Sequence, residues 1–460
     1  TLDRSSAASD VYKRQAPNRG LELRRLAGER LLSSGHIDEG LEVLRAVLDE
    51  LGVWLPSSPQ KALASYLVRR AELRLRGTAF VERPTTAVAE RERLRIDACW
   101  ALTVGLNGVD MIRGADFGAR SLLLALRAGD PYRIGRALAF ETTSIAFVGG
   151  KNRARAERLA ADLTALAERL DDAHLRGFAL LVTGMCDAFT RGLWTRALSF
   201  YARAEKMFRE ECRGVSWEVA TTDMVTSWSL FYTGRIQELA ARLPATLKAA
   251  EQRRDLYAQA NLTTSHAWVK LAADDIGAAR EQPALVMARW SHKAFHLQHY
   301  VALLAETYID RYAGLAEAAW NRIEHAFSEL ESSLLLRVQA NRIVAHYERG
   351  FCALAAAEAM PRKRSKLLAI AEKDARVIAA ERMAWADPFA ELIRAGISAQ
   401  RGDKAGATLA LARAESGFSM ADMHLYAASA RRRRGELVGG GNGTLLVLSL
   451  IHISEPTRPY

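Results

Sequence analysis

Glycine or aspartate closes one apolar segment after another at nearly constant intervals along this chain, and that recurrence restricts the fold more than any other feature. About five residues after each mark, a small or aliphatic residue opens the next apolar face. Gly35 is followed by Gly40-Leu41, Gly114 by Ala119, Gly192 by Ala197-Leu198, Gly234 by Leu239-Ala240, Asp274 by Ala279, Gly314 by Ala319 and Gly402 by Ala407. The marks at 192, 234, 274 and 314 are 42, 40 and 40 residues apart. Gly77 and Gly150 fill the earlier gaps, and Pro361 marks a later one less clearly. A period of this size belongs to solenoids of helical hairpins. One hairpin cannot bury its apolar face alone, whereas stacked neighbours bury it jointly.

The segments between marks read as helices. Leu336, Ala340, Ile343, Tyr347, Phe351 and Leu354 fall three or four residues apart and form one stripe. Ser58-Pro59, Asp130-Pro131 and Asp387-Pro388 each place a capping side chain before a proline at the first helical position. Small residues after the marks, as in Ala197, Ala202 and Ala204, let helices approach closely. Alternating strand patterns bounded by hairpin turns are nearly absent. The expectation is an all-α fold, an α-α superhelix of hairpins about 40 residues long. It resembles the tetratricopeptide arrangement, although the Trp-Leu-Gly-Tyr consensus is missing and the period is longer. Residues 76–86 and Arg362-Lys363-Arg364 read as loops between repeats, and the Gly439–Gly443 run as the end of the packed region.

Composition narrows the partners. No apolar run approaches the roughly 18 residues of a membrane-spanning helix, so no membrane is expected. The net charge of +11 permits attraction to nucleic acid but does not require it. Acidic and basic residues are interspersed, and the one dense run, Arg431–Arg434, suits an exposed helix end. Cys99, Cys186, Cys212 and Cys352 lie far apart with no CxxC pair, the usage of reduced thiols in a cytoplasmic protein.

The ends read differently from the middle. Ser5-Ser-Ala-Ala-Ser-Asp-Val-Tyr-Lys-Arg-Gln15 and Leu448-Ser-Leu-Ile-His-Ile-Ser-Glu-Pro-Thr-Arg-Pro-Tyr460 resemble translated sequencing adapter. Residues 1–15 and 444–460 are therefore expected to be artefactual tails. Residues 16–443 are expected to be the repeat array, an internal piece of a longer protein.

A search for chemistry assigns no catalytic, cofactor-binding or metal-ligating residue. Asp116-Phe117-Gly118 spells the magnesium-binding triplet of protein kinases, but no glycine-rich loop, strand lysine or His-Arg-Asp segment precedes it. Gly149-Gly150-Lys151-Asn152 lacks the spacing, hydroxyl and preceding strand of a phosphate loop. His292, His296 and His299 are spaced to share one face of a helix, where three imidazoles could hold zinc with an open position. The plainer reading is a mixed surface beside Trp290, Phe295 and Tyr300. Trp217-Glu218, Trp228, Phe231 and Tyr232 form an aromatic-rich hairpin, read as inter-repeat packing or as a partner groove.

Five segments carry a resemblance: Arg93-Leu-Arg-Ile-Asp-Ala-Cys-Trp100, Gly114-Ala-Asp-Phe-Gly-Ala-Arg120, Ala125-Leu-Arg-Ala-Gly-Asp-Pro-Tyr-Arg-Ile-Gly-Arg-Ala-Leu138, Gly214-Val-Ser-Trp-Glu218 and Ala421-Asp-Met-His-Leu-Tyr-Ala427. They resemble the C-terminal helical region of large bacterial serine/threonine protein kinases fused to a STAND-type predicted ATPase. The similarity covers the repeat part alone, because every kinase and ATPase motif is missing. It implies a non-catalytic regulatory or sensor module. That module would bind a protein or small-molecule effector on its concave face and act on upstream ATPase and kinase domains. The alternatives are a basic solenoid that binds nucleic acid, which the interspersed charge disfavours, and an unrecognised enzyme with a metal at the His292 face.

Overall fold

The computed structural model describes the backbone of residues 3–449 and the side chains of residues 18–449. The N-terminal adapter-like string, and all but the first two residues of the C-terminal one, lie outside the residues whose side chains are described. The fold is all-α, with twenty-two α-helices and no strand among the described residues. Helices α1 (Asp3–Ser33) and α2 (Ile37–Leu51) form the first hairpin, and α3 (Pro59–Arg76) is inserted after it. Four hairpins follow: α4 (Glu90–Leu106) with α5 (Met111–Ala128), α6 (Pro131–Val148) with α7 (Arg153–Leu170), α8 (Ala173–Arg191) with α9 (Trp194–Glu211), and α10 (Ser216–Tyr232) with α11 (Ile236–Gln252). In the sixth hairpin the first helix is split into α12 (Leu256–Asn261) and α13 (Thr263–Ala272), which pair with α14 (Ile276–Met287). Then come α15 (Leu297–Tyr312) with α16 (Ala316–Ser332), α17 (Gln339–Ala359) with α18 (Arg364–Ala380), α19 (Asp387–Gln400) with α20 (Lys404–Met420), and α21 (His424–Val438) with α22 (Gly440–Leu448). First helices from α4 to α17 start 40 to 43 residues apart, which is the period written in the sequence.

The two helices of a hairpin have different jobs. First helices are enclosed on most sides: α10 buries every residue from Val219 to Ser227, whereas α11 buries only Leu239, Leu243 and Ala250. A helix buried all round belongs inside, and one with a single apolar stripe belongs outside. On α9 that stripe is Trp194, Ala197, Leu198, Tyr201, Ala204 and Phe208. Buried carboxylates of first helices also hold arginines of second helices. Asp187 of α8 pairs with Arg196 of α9 at 2.9 Å, Asp223 of α10 with Arg242 of α11 at 2.5 Å, and Asp310 of α15 with Arg322 of α16 at 2.9 Å.

The superhelix closes on itself. The Tyr257 amide donates to the Ser34 carbonyl (3.1 Å), the Leu297 amide to the Gly108 carbonyl (2.7 Å), and the Gly150 amide to Gln339 Oε1 (3.1 Å). Gly192 lies against Trp385, and Gly234 against Leu425. Each contact joins the turn inside one hairpin to the start of the hairpin five further along. Hairpins one to five thus stack on hairpins six to ten, giving two superhelical turns of five hairpins each.

Several local expectations need correcting. Gly114 closes no helix: the Asp110 side chain accepts from the Arg113 amide and starts α5 upstream of it. Gly108, with φ +85°, is the residue that turns the chain after α4. Ser58 and Asp130 cap their helices, accepting from the amides of Lys61 and Arg133. Asp387 does not, because its own amide already bonds the Met383 carbonyl and places it inside the first turn of α19. Leu336 lies in a short 3-10 turn, so the stripe on α17 begins after it. The glycine run does not end the packing either. Gly435 and Gly443 let the backbones of α21 and α22 touch, a Cβ on Gly435 falling 2.8 Å from the Gly443 carbonyl oxygen.

Candidate functional site

The first helices converge on the superhelix axis, and there the packing leaves space. Two cavities of about 80 and 50 Å3 meet at Phe189, Trp228, Leu297 and Asn341. The larger is walled by the first turn through Phe140, Met185, Trp217 and Met224, and by the second turn through Leu297 and Val338. Its α-helical residues come from α4, α6, α8, α10, α12, α15 and α17, every first helix from the second hairpin to the eighth, with Met111 added by the second helix α5. No Asp, Glu, Lys, Arg or His lines either cavity.

The few polar groups in the larger cavity fall into two kinds. Some are committed to the backbone: the Thr143 hydroxyl donates to the Ala139 carbonyl at 3.0 Å, and Asn341 Nδ2 to the Leu335 carbonyl at 3.3 Å. Trp217 Nε1 and Thr221 Oγ1 are buried and both face the Tyr257 hydroxyl oxygen, the acceptor available to them. Burial pushes the Tyr257 phenol up, so it stays neutral. Met111, Met185 and Met224 give this wall an unbranched, adaptable surface.

The aromatic residues read in the sequence as a hairpin all lie on the single helix α10, where they pack between hairpins. Trp217 and Trp228 line the cavity, while Phe231 stacks on Trp268 with ring centroids 3.6 Å apart and Tyr232 stacks on Trp194 at 4.6 Å. Glu218 points elsewhere and meets His174 at 3.0 Å. Sequence reasoning missed the walls contributed by α6 and α8, because Phe140, Met185 and Phe189 look like ordinary core residues of buried helices.

The three histidines do not share a helix face. His292 lies in the loop before α15, His296 is its N-cap residue, and His299 stands in its first turn. Trp290 Nε1 donates to His296 Nδ1, and the His296 amide donates to His299 Nδ1, both at 3.0 Å. Burial holds the His296 ring below its ordinary value. Burial, then the neighbouring His296 and His292, lowers His299 to about 4. No group of three potential ligands is arranged to hold a metal among the described residues.

Asp116 sits in the interior of α5, fully buried, accepting from the Ser65 hydroxyl at 2.7 Å and pairing with Arg120 at 2.8 Å. Its role is to tie α3 to α5. The Arg431–Arg434 run is internally paired: Arg431 and Arg434 bind Glu415, and Arg432 and Arg433 bind Glu436, at 2.7–2.9 Å. Cys99, Cys186 and Cys352 are buried and unpaired, and burial pushes each thiol up to about 12. No described helix is long and apolar enough to cross a membrane.

Compared with known proteins, the chain matches no protein-family model and no curated sequence. Its geometry therefore carries the functional argument.

Proposed function

We propose that this chain is a non-catalytic regulatory module that binds an effector on the inner face of its superhelix. One observation carries the reading: the cavity on the axis is walled by both superhelical turns at once. An occupant touching Met185 and Trp217 on one side and Leu297 and Val338 on the other acts on the seam between them. Its influence is limited to its differential affinity for the closed and loosened seam. A solenoid suits this use, because each hairpin contacts few others and a change at the seam alters the pitch of the whole. The resemblance to the repeat region of kinase–ATPase proteins supplies the output, an attached nucleotide-dependent switch upstream.

The test uses xenon, a neutral apolar probe small enough for a cavity of about 80 Å3, titrated against the tryptophan fluorescence of the full chain. Saturable binding is expected, with Thr143→Met, which fills the cavity from α6, weakening it about tenfold. Hydrogen exchange at the Leu297 amide, on the seam, is expected to change on binding. Absence of saturable binding, or phosphate transfer from ATP by the purified chain, would sink the proposal.

A further inference from the structure

We infer that a second cleft, lined by Arg69, Arg95, Arg120 and Arg127, binds a small phosphate monoester, with the phosphate among the guanidinium groups and the organic part against Trp54. The cleft shares no lining residue with the axial cavity, so this inference stands apart from the reading of the inner face.

The cleft, of about 340 Å3, opens between the turn after α2, the inserted α3 and the hairpin of α4 and α5. Four arginines and no carboxylate line it. Among the described residues, two carboxylates pair with those arginines. Glu72 holds Arg69 at 3.2 Å and also Arg127, and Asp116 holds Arg120 at 2.8 Å. Four cations against two anions leave two positive charges uncompensated. The Cys99 thiol in the wall adds no negative charge, because burial pushes it up to about 12.

Part of this charge has a structural use. Arg95 Nε donates to the Leu51 carbonyl at 2.8 Å and Arg120 Nη1 to the Trp54 carbonyl at 2.6 Å, which holds the turn after α2 in place. That use leaves Arg95 Nη1 and Nη2 without a partner among the described residues. Nη2 stands at the Gly52 wall, 3.7 Å from where a Cβ on that residue would be. Arg120 is 8% exposed, and its Nε is buried without a partner. Guanidinium forks match the oxygens of a phosphate, and a monoester carries about 1.5 to 2 negative charges at pH 7. Its organic part has a surface to cover, because Trp54 is 52% exposed at the rim. A cleft of this volume takes a small molecule, whereas the phosphodiesters of nucleic acid and lipid bring one charge each.

The experiment titrates the full chain, at neutral pH and physiological salt, with phenyl phosphate, inorganic phosphate and dimethyl phosphate, the last standing for a diester. Binding is followed by phosphorus NMR and tryptophan fluorescence. Phenyl phosphate is expected to bind about tenfold tighter than dimethyl phosphate, for the extra charge. It should exceed inorganic phosphate by about the same factor, for the ring laid on Trp54. Arg95→Gln should weaken phenyl phosphate about tenfold. Arg127→Gln, at an exposed position, provides a second variant if the first fails to fold. Arg432→Gln with Arg433→Gln, whose charges Glu436 already meets, should leave the affinity unchanged. Dimethyl phosphate as tight as phenyl phosphate overturns the monoester in favour of a diester, and inorganic phosphate as tight overturns the role of Trp54. Equal weakening by the Arg432 and Arg433 changes, or no saturable binding of any probe, overturns the site itself.

Discussion

The amide of Leu297 donates to the carbonyl of Gly108 at 2.7 Å, joining residues 189 positions apart in the chain and closing one superhelical turn. The same offset of five hairpins recurs at Ser34–Tyr257, Gly150–Gln339, Gly192–Trp385 and Gly234–Leu425. The glycines that end first helices in the first turn therefore meet the second turn, and the equivalent glycines of the second turn meet nothing.

That asymmetry predicts unequal costs for identical substitutions. Gly192 and Gly314 share a left-handed backbone, φ +73° and +74°. A Cβ on Gly192 would stand 2.7 Å from the Trp385 ring, whereas one on Gly314 has nothing within 4 Å. Gly314→Ala should cost about 1–2 kcal/mol, the strain of the backbone alone. Gly192→Ala should add about 1–3 kcal/mol of overpacking. Urea unfolding midpoints measure both, and equal losses would remove the seam from the account of stability.

Inside the second turn, Glu348 of α17 is fully buried and pairs with Arg311 of α15, whose guanidinium also lies 4.5 Å from the Phe351 ring centre. Burial raises the Glu348 carboxyl, and the Arg311 charge opposes that rise. Arg311→Met should cost about 3–5 kcal/mol by leaving a buried carboxylate unpaired. The stranded group will take a proton on folding. The folded variant then holds more protons than the unfolded one, so its deficit should widen as pH rises above the ordinary carboxylate range. Adding Glu348→Gln should recover part of the loss. Thermal unfolding across pH checks both expectations, and a deficit that narrows with rising pH would contradict them.

The helical hairpin was legible in the sequence, and its stacking into two turns was not. The period shows because a left-handed residue and a following small residue recur at each turn, as at Gly192 with Ala197 and Asp274 with Ala279. The seam does not show, because its second partners, Leu297, Gln339, Trp385 and Leu425, share neither residue type nor local pattern. Gly114 was misread because a local cap, Asp110, outweighed the spacing. The histidine face failed for a tertiary reason. Trp290 is 2% exposed, wedged against Gly35, and bonds His296, so the chain between α14 and α15 leaves the helix to reach it. The cavity escaped notice because an apolar residue on a buried helix looks the same whether it faces a neighbour or a void.

The pairing of the arginine run predicts how the chain treats nucleic acid. Arg432 and Arg433 are exposed but share Glu436, and Arg431 and Arg434 share Glu415. A single-stranded DNA oligonucleotide at physiological salt should show no saturable binding, and Arg432→Gln with Arg433→Gln should shift stability by less than about 0.5 kcal/mol. Affinity falling steeply with salt, relieved by those substitutions, would instead favour the nucleic-acid reading.

His299 should make the chain sensitive to mild acid. Its ring is held to about 4 by burial and by His296 and His292, and its Nδ1 accepts the His296 amide, which requires the neutral ring. Unfolded, the ring titrates near 6.5. Between those values the unfolded chain binds the extra proton, so stability falls as pH drops from about 6.5 towards 4. The ring is partly open to solvent, which limits the contribution to about 1–2 kcal/mol. His299→Gln keeps an acceptor for the His296 amide and removes the titration. It should flatten the stability profile over that window while leaving the profile at neutral pH nearly unchanged. An NMR titration that placed the His299 midpoint at or above 6.5 would refute the burial argument, and a flat profile for the unaltered chain would refute the linkage.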